Sequence, residues 1–251
     1  MRLAHFLSRA GVTSRRKAEE LVKRGLVQVN GVPAIDPALN VESSRDRVTV
    51  EGENIEFPRE FVYYLLHKPK GVVTSREAQG DRKSVFDLVP QKPRVFAAGR
   101  LEEDSSGLLL LTNDGEFVQK LTHPRYGVRK VYHVVADGEL TTARLQKLIG
   151  GIHLAEGKVF GKFHVLKRGH GFSVMNVTLT QGVNRQVQRM LAKVGLKVRN
   201  IIRTEFGPFS LSKLPVGAFQ ILTPHDVKKM VSGLEQNIVR RSPADRRHPP
   251  R

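Results

Sequence analysis

The densest group of chemically useful side chains lies between Gly99 and Gly115, in the run Gly-Arg-Leu-Glu-Glu-Asp-Ser-Ser-Gly-Leu-Leu-Leu-Leu-Thr-Asn-Asp-Gly. Arg100, Glu102, Glu103 and Asp104 occupy a turn that leads through Ser105, Ser106 and Gly107 into Leu108 to Leu111. A short apolar run bounded by turn signals reads as a buried strand. Charge at its mouth is costly unless paired, so the turn is either a solvated acidic loop or a site. Two further segments carry complementary groups. Lys130-Val-Tyr132 alternates as a strand, which puts Lys130 and Tyr132 on one side. Asn184-Arg-Gln-Val-Gln-Arg-Met opens a helix read as Asn184 to Val194, with Val187, Met190, Leu191 and Val194 inward. A carboxylate, a stackable ring and arginines suit chemistry on a nucleotide taken out of its stack, which needs an aromatic platform and anchored phosphates. Taken singly, a strand tyrosine such as Tyr132 is more often a core or rim residue, and the basic helix could be an ordinary solvated face.

Composition narrows the partner. The 251 residues hold 42 Lys and Arg against 24 Asp and Glu, a net charge of +18. Such a balance favours a polyanion, because each neutralised phosphate releases condensed counterions. Nucleic acid leads; an anionic membrane surface is second, without a basic amphipathic helix bearing a bulky apolar face. No window resembles a membrane span and the N-terminus lacks the apolar core of a secretory signal. Cysteine is absent, which removes thiolate nucleophiles and Cys-based zinc sites. The nine histidines are scattered, with no His-Glu-x-x-His pair. Neither a Gly-x-Ser-x-Gly elbow nor a glycine-rich phosphate loop occurs. Metal and cofactor are therefore not expected, and a cytoplasmic location is.

The elements that must position these groups fall into two units and a tail. Residues 1–57 read as two helices, then strands joined at Asn30-Gly31, the strongest short turn signal. Leu3, Phe6, Leu7 and Ala10 share one helix face, and Ser14 caps the next. Arg15, Arg16 and Lys17 cluster at that helix start, where the helix dipole disfavours cations, so a phosphate contact explains them better than a solvated face. Residues 61–235 mix strands and helices without a βαβ rhythm, predicting an α+β domain on a largely antiparallel sheet. Lys68 and Lys70 stand at the turn leaving its first strand, and residues 75–83 read as a mobile surface loop. Residues 236–251, with five arginines and three prolines, read as a disordered basic tail.

The first unit resembles the S4 RNA-binding domain, on Arg2-Leu3, Ala10-Gly11-Val12, Ser14-Arg15-Arg16-Lys17-Ala18-Glu19, Gly25-Leu26-Val27 and Val29-Asn30-Gly31. The second resembles the pseudouridine synthases, in the bacterial ribosomal-RNA branch where an S4 domain comes first. It does so on His67-Lys68-Pro69-Lys70-Gly71, Ser84 to Pro90, Gly99-Arg100-Leu101, Ser106 to Glu116, Leu121 to Pro124, Lys130-Val131-Tyr132, Gly182 to Val187, Arg189-Met190 and Ile202-Arg203 through Gly207-Pro208.

The resemblance implies isomerisation of uridine to pseudouridine in ribosomal RNA, large subunit favoured, without metal or cofactor; a monomer is the simplest expectation. It implies an essential aspartate directly after Gly-Arg-Leu, a tyrosine (Tyr132) against the target base, and an arginine (Arg203) paired with the carboxylate. The expected RNA contacts are Arg15, Arg16, Lys17, Asn30, Lys68, Lys70, Arg100, Lys130, Arg185, Gln186 and Arg189. Here the essential position holds Glu102, one methylene longer than aspartate. Three readings stand open: Glu102 works through a compensating shift, Asp104 serves instead, or the chain binds ribosomal RNA or assembling subunits with weak or no turnover.

Overall fold

Residues 1–58, 60–76 and 81–239 are described by the computed structural model. The chain begins with α1 (Leu3–Arg9) and α2 (Arg15–Lys23), which bury Leu3, Phe6 and Leu7 against Ala18 and Val22. Ser14 Oγ accepts the Lys17 amide at 3.3 Å, capping α2. Strands β1 (Val27–Val29), β2 (Val32–Pro33), β3 (Val48–Val50) and β4 (Glu53–Asn54) follow as a four-stranded sheet ordered β2-β1-β3-β4. Asn30, in the left-handed region at φ 53°, forms the β1–β2 turn with Gly31. Its side chain donates to Asp46 and accepts from the Arg47 amide, both at 2.9 Å.

The second part is organised on β5 (Tyr63–Lys68), β6 (Phe96–Ala97) and β7 (Ser106–Thr112), followed by α3 (Gly115–Thr122) and β8 (Lys130–Asp137). Next come α4 (Thr142–Ile149), the hairpin β9 (Ile152–Leu154) and β10 (Gly157–Val159), and the long hairpin β11 (Lys162–Gly169) and β12 (Phe172–Leu179). The chain continues through α5 (Gln186–Ala192), β13 (Lys197–Phe206), β14 (Phe209–Ser210) and β15 (Phe219–Leu222) to α6 (Pro224–Val239). A nine-stranded sheet runs β11-β12-β8-β13-β7-β5-β15, with β14 on β13 and β6 on β7. Every pairing within it is antiparallel except β13 with β7. The α+β architecture is therefore the one expected.

The four-leucine run becomes a strand because both sheet faces are covered at β7. Leu108 and Leu110 point into a core with Tyr63, Phe117, Leu121 and Phe206, while Leu109 and Leu111 meet Leu66, Val72, Phe86 and Val95 on the other side. A third core under β8, β12 and β13 receives Val187, Met190 and Leu191 of α5. The N-terminal elements meet this body through an ion pair of 3.1 Å between Arg9 and Glu116 on α3.

Three expectations change. The basic helix is shorter than Asn184 to Val194, because Arg185 takes a left-handed conformation, φ 47°, and turns the chain before α5 begins. Of the loop read as mobile, residues 77–80 lie outside the described residues, whereas Arg76 is pinned. Its guanidinium lies 4.0 Å from the Phe86 ring centroid and donates twice to the Val95 carbonyl. Of the expected tail, residues 240–251 lie outside the described residues, and 236–239 belong to α6.

Candidate active site

The parallel pairing brings three distant residues into one row across the sheet. Tyr132 on β8 is opposite Arg203 on β13, and Arg203 is opposite Gly107 on β7. Only glycine fits there: its φ is +114°, and a Cβ would lie 2.4 Å from the Arg203 carbonyl oxygen and 2.5 Å from its nitrogen. The close approach lets the Arg203 Nε donate to the Leu108 carbonyl at 2.8 Å. Tyr132 and Arg203 of this row line a cavity of about 370 Å³, together with Leu101, Glu102, Lys130 and the segment 181–188.

Glu102 stands at this cavity on a turn fastened from three directions. The Thr74 hydroxyl donates to the Leu101 carbonyl at 2.8 Å, the Gly71 amide to Glu103 at 2.9 Å, and the Lys68 ammonium to Ser105 at 2.8 Å. Lys68 is fully buried and also donates to the Pro69 carbonyl at 2.9 Å. Burial pulls its pKa down to about 8, against the opposing pull of Asp104, Glu103 and Glu102. It therefore does not stand where an RNA phosphate can reach it; its ammonium serves the turn that carries Glu102.

Lys68→Met is expected to leave the buried Ser105 carbonyl and the half-buried Pro69 carbonyl without this donor, lowering stability at neutral pH by about 1–3 kcal/mol. Between pH 8 and the ordinary lysine range near 10.5, the folded chain holds fewer protons at this site than the unfolded chain, so Lys68 makes stability rise with pH. The gap between wild type and Lys68→Met should widen across that window in urea midpoints.

Arg203 is 2% exposed, and burial lowers its pKa while the Tyr132 hydroxyl beside it opposes the shift. Nη1 is 3.5 Å from the Arg100 carbonyl, and the buried Nη2 has no partner. Lys130, 9% exposed, has its pKa drawn down to about 8 by burial and by Arg203. The cavity is thus lined by buried positive charge in need of an anion. The expected pairing of Arg203 with the Glu102 carboxylate is not formed. Glu102 Oε1 instead accepts the Asn184 side-chain amide at 3.3 Å; the longer glutamate arm reaches the far wall. Asp104 is exposed and pairs with Arg185 at 2.6 Å, beside an adjoining groove of about 720 Å³ that Lys70 also lines.

The other expected RNA contacts divide by exposure. Arg15, Arg16, Lys17, Lys70, Arg100 and Arg185 lie on the surface. Gln186 does not: it is 3% exposed, and its amide points inward to the Phe160 carbonyl and the Gln181 side chain. Arg189 is held in a two-pronged ion pair by Glu156, at 2.8 and 2.7 Å. Asn30 spends its amide on Asp46 and the Arg47 backbone, just before β3. The sequence reading missed Glu156 and Thr74, which carry no local signal. Asn184 was in view only as the first residue of a basic motif.

Tyr132, Arg203 and Glu102 thus line one cavity. The family model for RNA pseudouridylate synthase matches residues 62–193, and the S4-domain model matches residues 1–48. The chain belongs to the RNA pseudouridylate synthase family, with an S4 domain at its N-terminus. Among its relatives, ribosomal large subunit pseudouridine synthase B of Bacillus subtilis is 42% identical over 91% of this chain and 95% of its own length. An uncharacterized RNA pseudouridine synthase of Aquifex aeolicus is 34% identical over 96% of this chain and 98% of its own. A crystal structure of a pseudouridylate synthase superposes with a TM-score of 0.66 at 26% identity, covering 92% of this chain and 99% of the other.

Proposed function

We propose that this protein converts one uridine of large-subunit ribosomal RNA to pseudouridine, acting as a cytoplasmic monomer without a cofactor, with Glu102 as the reacting carboxylate. The substrate follows the Bacillus relative's name. The observation that supports the site best is the single cavity shared by Glu102, Tyr132 and the under-satisfied guanidinium of Arg203. Among the described residues, no helix is long and apolar enough to cross a membrane.

Each group has a part. Tyr132 packs against the flipped uracil, whose removal from the stack costs a few kcal/mol. Glu102 acts at the ribose, as nucleophile or as the group that starts cleavage of the C1′–N1 bond. The uracil turns, a C1′–C5 bond forms, and the proton lost from C5 is matched by one gained at N1, so the product is an isomer. Arg203 and Lys130 balance the carboxylate and the charge developing on the detached base. Arg15, Arg16 and Lys17 hold the RNA by phosphate contacts, which position without specifying sequence.

Purified protein incubated with unmodified large- and small-subunit RNA tests this, with pseudouridine mapped by a base-specific chemical adduct. The expected result is one modified position in large-subunit RNA, with binding that weakens steeply with salt. Product in small-subunit RNA alone would change the substrate. Absence of product, restored by Glu102→Asp, would replace the enzyme by a binding or assembly protein; the carboxylate turned from Arg203 to Asn184 is the observation on that side.

A further inference from the structure

The contact between Glu102 and Asn184 is supported from behind by groups for which RNA binding gives no account. The Asn184 carbonyl accepts Arg189 Nη1 at 3.2 Å. Arg189 is itself gripped by both carboxylate oxygens of Glu156, in the turn between β9 and β10. On the other flank, Arg185 holds a left-handed backbone at φ 47°, a conformation that costs a non-glycine residue free energy. Asp104, from the same turn as Glu102, clamps it at 2.6 Å. Asn184 is therefore fixed from both sides, and its amide is aimed at the acidic turn.

The residue it meets is the one that is longer than its counterpart in the resemblance. A glutamate arm has one more rotatable bond than aspartate, so its carboxylate is less determined by the backbone and more dependent on a partner. Among the described residues, Asn184 is the hydrogen-bond donor to that carboxylate. One oxygen is held and the other remains for the substrate.

We propose that Asn184 is the positioning residue for Glu102, with the Glu156–Arg189 pair holding Asn184 in place, so that the longer acid is oriented at the cavity by the α5 side of the site. The inference rests on Glu102 being the reacting carboxylate. It makes Asn184 matter only when the acid is long enough to reach it. Displacement of a reacting group by about an ångström is enough to lower a rate substantially.

The test is a double-mutant cycle in steady-state assays on large-subunit RNA, with RNA affinity measured in parallel. With Glu102 present, Asn184→Ala should lower kcat about tenfold, leaving KM and the RNA Kd within about twofold. Asn184→Asp should lower it further, because a second carboxylate repels the first. In a Glu102→Asp background, Asn184→Ala should change kcat by less than about twofold, because the shorter arm does not reach. Glu156→Gln, remote from substrate, should reproduce a smaller version of the same background-dependent loss. Equal losses in both backgrounds, or no loss with Glu102 present, would overturn the inference while leaving Glu102 as the acid. Full activity in Glu102→Ala would overturn the parent reading and this one with it.

Discussion

Gly107→Ala is expected to cost about 3–5 kcal/mol of stability, placing it among the exceptional single substitutions, and to abolish turnover in whatever protein still folds. The added methyl would fall 2.4, 2.5 and 2.9 Å from the oxygen, nitrogen and carbonyl carbon of Arg203. These are backbone atoms of the adjacent strand, so no rotamer change relieves the clash. The backbone φ of +114° adds strain that a side chain does not tolerate. Relief requires β7 and β13 to separate at their parallel pairing, which carries Arg203 away from the cavity. Gly25→Ala is the control: φ there is +71° with nothing within 4 Å of the new methyl, so only the local strain of roughly 1–2 kcal/mol applies. Urea midpoints of both variants measure the difference; equal midpoints would contradict the packing described.

Arg203→Met should separate activity from stability. The guanidinium makes two backbone contacts at 2.8 and 3.5 Å, but Nη2 is buried without a partner. A buried cation without its anion carries a desolvation cost of several kcal/mol, and an apolar residue of similar volume is often neutral or stabilising in its place. Arg203→Met is therefore expected to change Tm little, the lost Leu108 hydrogen bond and Phe206 ring contact offsetting the relieved desolvation. Turnover should nonetheless fall by about 10³-fold, the scale of losing one preorganised electrostatic group. A pronounced loss of Tm with turnover intact would mean that Arg203 serves the sheet and not the reaction. Arg203→Lys should be intermediate at best, because lysine keeps the charge but not the planar fork that reaches the Leu108 carbonyl.

What the sequence disclosed was whatever short-range rules govern. The Ser14 cap, the Asn30-Gly31 turn and the buried leucine strand follow from residues within a few positions of one another. The residue types of the cavity were also in view, since Glu102, Tyr132 and Arg203 were all drawn from the resemblance. Their adjacency was not. It depends on pairing β7 with a strand 95 residues later, and long-range register has no local signature. Lys68 looked like a surface cation because lysine is almost never fully buried; only the fold shows two carbonyls waiting for it. Arg189 looked like a phosphate contact for the same reason, until the hairpin 33 residues upstream brought Glu156 beneath it. The orientation of Glu102 was the least legible feature, because it is decided by one methylene and a donor 82 residues away.

The central claim is that this chain is a working synthase whose acid is Glu102. Pseudouridine formation on unmodified large-subunit RNA, measured under single-turnover conditions for wild type, Glu102→Ala and Asp104→Ala, tests it most directly. The predicted result is product from wild type, a loss of at least about 10³-fold in Glu102→Ala, and only a modest loss in Asp104→Ala, whose carboxylate is exposed and engaged with Arg185. Turnover that survives Glu102→Ala but disappears in Asp104→Ala would contradict the account and assign the chemistry to the other acid.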